Sequence, residues 1–309
     1  MADITFLGPQ RLAPTVAEAV DALAPEGTVA IITSGWQEAE SEEADEIIEQ
    51  LDRPTLKILL HQRSDDIFHR DPEFFEAYRG RQNQLHQLRD FYRLRLGHAL
   101  EAARELMQRE GSEHLIEPER EAAFDAVRTL DEHHFQRLRE VHRGFEEEWR
   151  PNEREVIAHH RNEVAQQLEE ASVLVVAGGH VAVLLYRMTL LNLAPLIEQL
   201  PIVAWSAGAM ALSEWVVLFH DSPPQGEGNP EVLESGLALV RQVLPFPHAR
   251  RRLKLKDPIR VSLLARRFAP KLCVAMERGS KLERRDGQWT AGAGTLRFAD
   301  TGHLVEFAS

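Results

Sequence analysis

One cysteine in 309 residues leaves no partner for an intrachain disulfide, which suits a reducing compartment. That residue, Cys273, sits in the strand-like run "KLCVAME" and reads as an inert buried thiol. No apolar run approaches the ~20 residues that span a bilayer, so no membrane partner is expected. The start, "MADITFLGPQ", has no basic n-region or long apolar core, so no secretory signal is evident and a cytoplasmic protein is expected. Positive charge is also in deficit: the formal net charge of −13 argues against a nucleic-acid partner, while local charge leaves small anionic substrates open. No repeat and no low-complexity segment is visible, and lysine is missing altogether from residues 70–170.

What is present has an α/β rhythm. "ITFLG", "TVAIIT" and "TLKILL" are short apolar runs separated by the helix-like "PTVAEAVDALA" and "SEEADEIIEQL". The rhythm returns at "ASVLVVAGG", runs through "AVLLYRMTLLNLAPLIEQL" and reaches "PIVAW". Short buried strands alternating with helices predict a doubly wound, mostly parallel sheet covered on both faces. Between the two halves, residues 70–170 are rich in Arg and Glu, with apolar residues at helical spacing: Leu85, Leu88, Tyr92, Leu96, then Phe124, Val127, Phe135, Leu138 and Phe145. Gly111-Ser112 supplies a turn and Pro151 suits the opening of a further helix. The expectation is roughly three long helices, an all-helical insertion (70–170) in an α/β domain (1–69 and 171–309). The insertion is placed to cover the site, to form a homodimer or to bind a protein partner. The tail, with "GLALVRQVL" and short runs joined by Asp-Gly and Thr-Gly turns, predicts an antiparallel edge to the sheet.

The chemistry concentrates in "PIVAWSAGAMALSE" (201–214). Ser206 leaves an apolar strand and enters a helix through Ala207, Gly208 and Ala209. Such an elbow lifts a hydroxyl off the sheet edge and needs small neighbours where strand and helix meet; a plain strand–helix junction reads the same way. Gly178-Gly179, directly after a buried strand, lets backbone approach a ligand and aim N–H groups into a shared crevice, or simply makes a tight turn.

"AGGH" followed by "AWSAGA", then an acid and "PH", resembles the peptidase E and cyanophycinase family of serine peptidases, within the class I glutamine amidotransferase-like superfamily. The resemblance covers about residues 1–68 and 171–309, outside the helical insertion. It implies a flavodoxin-like sheet with no cofactor and no metal. It also implies a triad of Ser206 as nucleophile, His248 in "LPFPHARRRL" as base and Asp221 in "FHDSPP" as acid. Cyanophycinase-like members place a glutamate where this chain has Pro224. The oxyanion would be held by backbone N–H groups at Gly178, Gly179 and Ala207. Two departures stand out: Ala204 where the elbow usually has glycine, and His180 where the family has asparagine, which leaves the imidazole as a substrate donor. Serine in place of the amidotransferase cysteine speaks against ammonia release from glutamine.

The implied function is hydrolysis of a small peptide or amide through an acyl-enzyme, with aspartyl and isoaspartyl peptides as substrates. The cluster Arg250, Arg251, Arg252 beside the base would meet a substrate carboxylate, and otherwise reads as a solvated loop. His220 adjoins Asp221 and ranks below His248, since neighbours rarely orient toward one target. Glu227, Glu231 and Glu234 are fallback acids. His159/Glu163 and His142/Glu146 lie one helical turn apart, a spacing that can ligate metal but also arises by chance. A carboxylesterase would show an HGGG-type motif, which is absent. The alternative function is a catalytically impaired scaffold acting as a binding or assembly module through its helical insertion.

Overall fold

The computed structural model describes residues 2–220 and 228–307. Chain order begins β1 (Ile4–Leu7), α1 (Val16–Leu23), β2 (Thr28–Ile32), α2 (Glu40–Ile48), β3 (Thr55–Lys57) and α3 (Leu60–Arg70). Three helices follow: α4 (Pro72–Gln108), α5 (Glu113–Trp149) and α6 (Glu155–Glu169). The chain returns through β4 (Ala171–Val176), α7 (Val181–Leu190), α8 (Ala194–Ile197), β5 (Ile202–Trp205) and α9 (Ala207–Leu212). Next come β6 (Trp215–Leu218), β7 (Glu231–Ser235), β8 (Val243–Pro247), α10 (Ala249–Arg252) and α11 (Pro258–Phe268). It closes with β9 (Leu272–Met276), β10 (Lys281–Arg285), β11 (Gln288–Ala291), β12 (Leu296–Phe298) and β13 (Leu304–Glu306).

The molecule is mixed α/β with a largely parallel central sheet. Seven strands run in the order β11-β10-β1-β5-β4-β2-β3. The five from β1 to β3 are mutually parallel, and β10 adds antiparallel to β1. Successive side chains of a strand point to opposite faces, and both faces here are apolar. Val29, Ile31, Val173, Val175 and Val203 pack with Val16, Val20, Ala44 and Ile47 of α1 and α2. Ala30, Ile32, Leu174, Val176 and Ile202 belong to a larger cluster with α7 and α9. That larger cluster also takes in Phe74, Tyr92, Phe124 and Phe145, so the long helices share their core with the sheet.

The three-helix expectation for residues 70–170 matches α4, α5 and α6. Asp71 caps α4, its carboxylate accepting the Phe74 N–H at 3.1 Å, with Pro72 in the first turn. The tail differs from expectation in one respect. The hairpin at Asp286-Gly287 does form the antiparallel edge, pairing β10 with β11. The hairpin at Thr301-Gly302 instead joins β12 and β13 to β9 and β8 in a separate four-stranded sheet. "GLALVRQVL" likewise contributes to β8 only from Val243; before it, Val240 makes one isolated bridge to Ser213. Among the described residues no helix is long and apolar enough to cross a membrane.

Candidate active site

The serine elbow is built by local packing. Ser206 stands between β5 and α9 with φ 50° and ψ −120°, outside the comfortable regions for a residue with a side chain. Gly208 explains why the neighbours must be small: a β-carbon there would collide with the carbonyl oxygens of Val176 and Ala177, because α9 rests directly on the end of β4. Ala204 lies within β5 and is wholly buried in the larger core cluster, so the methyl that replaces the usual glycine is accommodated by packing.

The glycine turn lies alongside. A β-carbon on Gly178 would stand 3.1 Å from Ser206 Cβ and 3.7 Å from its Oγ. Gly179 has φ 102° and touches the backbone of Gly35, whose carbonyl accepts the His180 N–H at 2.6 Å. The N–H groups of Gly178, Gly179 and Ala207 donate to no acceptor among the described residues, so three backbone donors in the lining of the cavity that Ser206 enters have their capacity unspent. His180 caps α7, its Nδ1 accepting the Val183 N–H at 3.3 Å. With Nδ1 accepting, Nε2 is the ring nitrogen left to donate.

His248 follows β8 in a left-handed conformation, φ 56° and ψ 36°, its N–H donating to the Met276 carbonyl at 3.1 Å. Burial, then the positive charge of Arg252, hold the imidazole below its ordinary pKa; Glu277 pulls the other way and Arg251 adds to the lowering. Ser206 and His248 line one cavity of about 1290 Å³ together with Gly178, Gly179, His180 and Arg252. Among the described residues no hydrogen bond joins the Ser206 hydroxyl to the imidazole.

The acid candidates separate clearly. Asp221 and Glu227 lie outside the described residues. Glu231 lines the cavity but is held by the Arg93 guanidinium of α4, with Nη2–Oε1 at 2.6 Å. Glu234 is buried and occupied by His142 Nε2 at 2.9 Å and the Ser235 N–H at 2.9 Å. Glu277, which the sequence reading passed over, accepts the Arg250 N–H at 2.6 Å and is the carboxylate whose charge bears on His248.

The three arginines also part company. Arg250 and Arg251 are exposed and do not line the cavity, whereas Arg252 does, half-buried with its guanidinium 5.8 Å from the Phe219 ring. His220 lines the cavity too. Sequence reasoning also missed Trp36, Gln37, Arg93 and Leu96, which reach the same cavity from the loop after β2 and from α4. Nothing in their local sequence marks them, apart from the abrupt "TSGWQE" break after an apolar strand. Of the spaced His/Glu pairs, His159 meets Glu163 at 3.4 Å, while His142 turns to Glu234 rather than Glu146. Cys273 is buried, which pushes its thiol pKa upward, and stays remote from the cavity lining.

A strained serine at the head of a parallel strand, with free backbone donors and a histidine on the same cavity, is the build of a serine-type hydrolytic site. The model of peptidase family S51 matches residues 124–290, over half of the chain, and the protein belongs to that family of serine-type peptidases. Comparison with curated proteins returned no match. Among solved structures, the chain is similar to a peptidase from an acI-B1 Actinobacterium at 12% identity, covering 99% of this chain and 97% of that one, with a TM-score of 0.49. It is also similar to a protein assigned as peptidase E from Listeria monocytogenes EGD-e at 10% identity, covering 94% and 98%, with a TM-score of 0.45.

Proposed function

We propose that this serine-type peptidase cleaves a small peptide or amide through an acyl-enzyme, with Ser206 as nucleophile and His248 as general base. The observation that carries the reading is the strained Ser206 elbow opening onto the cavity that His248 also lines, with the undonated N–H groups of Gly178, Gly179 and Ala207 in the same lining. His248 takes the proton from Oγ as the Oγ–C bond forms, and the N–H groups of Gly179 and Ala207, with Gly178 beside them, receive the oxyanion. Each such donor is worth about 3 kcal/mol in the transition state. The same imidazole returns the proton to the amine as the C–N bond breaks, then activates the water that frees the acyl group as a carboxylate. A swing of the imidazole toward Oγ on substrate binding completes the contact, as apo sites commonly require. Asp221 is the proposed acid behind His248, and Arg252 the proposed partner of a substrate carboxylate, which favours aspartyl or isoaspartyl peptides. In this reading the sheet is a doubly wound, flavodoxin-like platform, and residues 70–170 are an insertion that walls the site through Arg93 and Leu96.

The test is covalent labelling with a fluorophosphonate. The wild type is expected to be labelled at Ser206 and Ser206→Ala to lose labelling at least a hundredfold; equal labelling of the two would remove the nucleophile.

A further inference from the structure

The loop after β2 holds a second strained residue. Gln37 has φ 56° and ψ −121°, the same unusual conformation as Ser206 at φ 50° and ψ −120°. Among the described residues seven non-glycine residues have positive φ, and three of them, Gln37, Ser206 and His248, line the one cavity. Backbone held in such a conformation persists only where its surroundings over-determine it, and it concentrates where a side chain must be aimed.

The surroundings of Gln37 do over-determine it. Thr33 Oγ1 donates to the Glu40 carbonyl at 2.7 Å, and the Trp36 N–H donates to the Thr33 carbonyl at 2.9 Å. The Gly35 carbonyl is tied to His180 N–H at 2.6 Å, beside the glycine turn. At the far end, the buried Glu40 carboxylate accepts the His61 N–H at 3.0 Å and the Gln62 N–H at 3.3 Å, pinning the loop to α3. Yet the Gln37 carboxamide, half-buried on the cavity wall, makes no hydrogen bond among the described residues. The loop thus fixes the backbone that carries a neutral group with one acceptor and two donors, and that group has no protein partner among the described residues.

That chemistry complements a peptide group, whose N–H and C=O offer one donor and one acceptor. A carboxylate would use the Gln37 donors alone and is better met by the guanidinium of Arg252, which lines the same cavity. Gln37 follows β2 and Ser206 follows β5, with β4 and its glycine turn between them. We infer that Gln37 is a specificity-determining residue that binds a peptide group of the substrate other than the scissile one, so that the enzyme prefers peptides longer than two residues. The inference rests on Ser206 being the nucleophile, as proposed above. Arg11, stacked on Trp36 at 4.7 Å and paired with Glu43 at 3.7 Å, lines the same cavity.

The experiment compares wild type and Gln37→Ala on a dipeptide and a tetrapeptide that share the same acidic first residue, with fluorophosphonate labelling in parallel. The wild type is expected to cleave the tetrapeptide at least tenfold better in kcat/KM. Gln37→Ala is expected to abolish that preference through the tetrapeptide alone, keeping dipeptide cleavage and labelling rate within about twofold. A wild type that favours the dipeptide, a Gln37→Ala loss equal on both lengths, or no loss at all overturns the inference. Wild type and Ser206→Ala labelling alike is a separate result and removes the peptidase mechanism itself.

Discussion

In the proposed mechanism His248, as general base, has to be neutral at the pH of reaction, and its environment favours that form. Partial burial disfavours the imidazolium, and Arg252, on the same short helix, repels a second positive charge. Because the folded pKa is depressed, the base stays competent as pH falls below the ordinary imidazole range, and activity is lost only at lower pH. In the proposed mechanism Arg252 therefore has two separable roles, one electrostatic and one in recognition. Arg252→Gln is expected to move the acid limb of the fluorophosphonate labelling profile to higher pH, since the neutral replacement lifts the repulsion. The same variant should lose about ten- to hundredfold in kcat/KM on peptides with an acidic residue, the worth of a charge-assisted hydrogen bond, and little on neutral amides. An unmoved acid limb would show that Arg252 does not set the titration of the imidazole. At this scale the sequence was legible where chemistry is local: Ser206, Ala207 and Gly208 declare a close strand–helix junction within five residues. Arg93 meets Glu231 from 138 residues away, and no local pattern could announce that pairing, the reach of Gln37, or the proximity of Glu277 to His248.

Elements carry the next layer. The start of α3 was not readable from "TLKILL", a largely apolar run in which β3 ends at Lys57 and the helix begins at Leu60. Its cap comes from Glu40, at the start of α2, rather than from a neighbouring Ser, Thr or Asp. Burial pushes the Glu40 carboxyl up to about 7, against the pull of the His61, Gln62 and Leu60 backbone donors and the Arg187 charge. A carboxyl whose folded pKa lies above its unfolded one contributes stability that is complete below about pH 4.5 and is lost as pH rises through 7. Glu40→Gln keeps an acceptor for α3 without the titration. Its unfolding free energy is expected to match wild type near pH 4.5 and to exceed it by roughly 3 kcal/mol by pH 8. Urea denaturation of both proteins across that range reads the gap, and a gap constant with pH would exclude Glu40 as its source. Helix periodicity made α4 and α5 legible because each presents one long apolar face. The division of the C-terminal strands between two sheets was not, because hairpin turns specify pairing within a hairpin and say nothing of which edge it joins.

For the whole molecule the question is whether the helical segment is an appendage or part of the fold. Its apolar face enters the same cluster as the sheet, and a buried polar network fastens it further. Asp131 of α5 and Arg267 of α11, both inaccessible, form a two-pronged pair with Nε–Oδ2 at 2.7 Å and Nη2–Oδ1 at 2.8 Å. Tyr92 of α4 donates to Asp131 at 2.7 Å and accepts from Arg267 and from the Val232 N–H of β7, while Arg267 Nη1 donates to the Pro230 carbonyl at 2.6 Å. His134 stacks on Tyr92 at 3.9 Å and meets the Val232 carbonyl at 3.1 Å. These bonds tie α4, α5 and α11 to the strand that carries Glu231 toward the cavity. Replacing such a pair wholesale with apolar groups can be neutral, but removing one member strands a buried charge. Asp131→Ala is accordingly expected to cost about 3–5 kcal/mol in urea denaturation while the protein still unfolds in one transition, because helices and sheet share a core. Arg267→Met combined with Asp131→Leu should recover most of that loss. A cost below about 1 kcal/mol for the single variant, or a helical segment that melts separately from the sheet, would mean that the network does not bind the two parts into one cooperative unit.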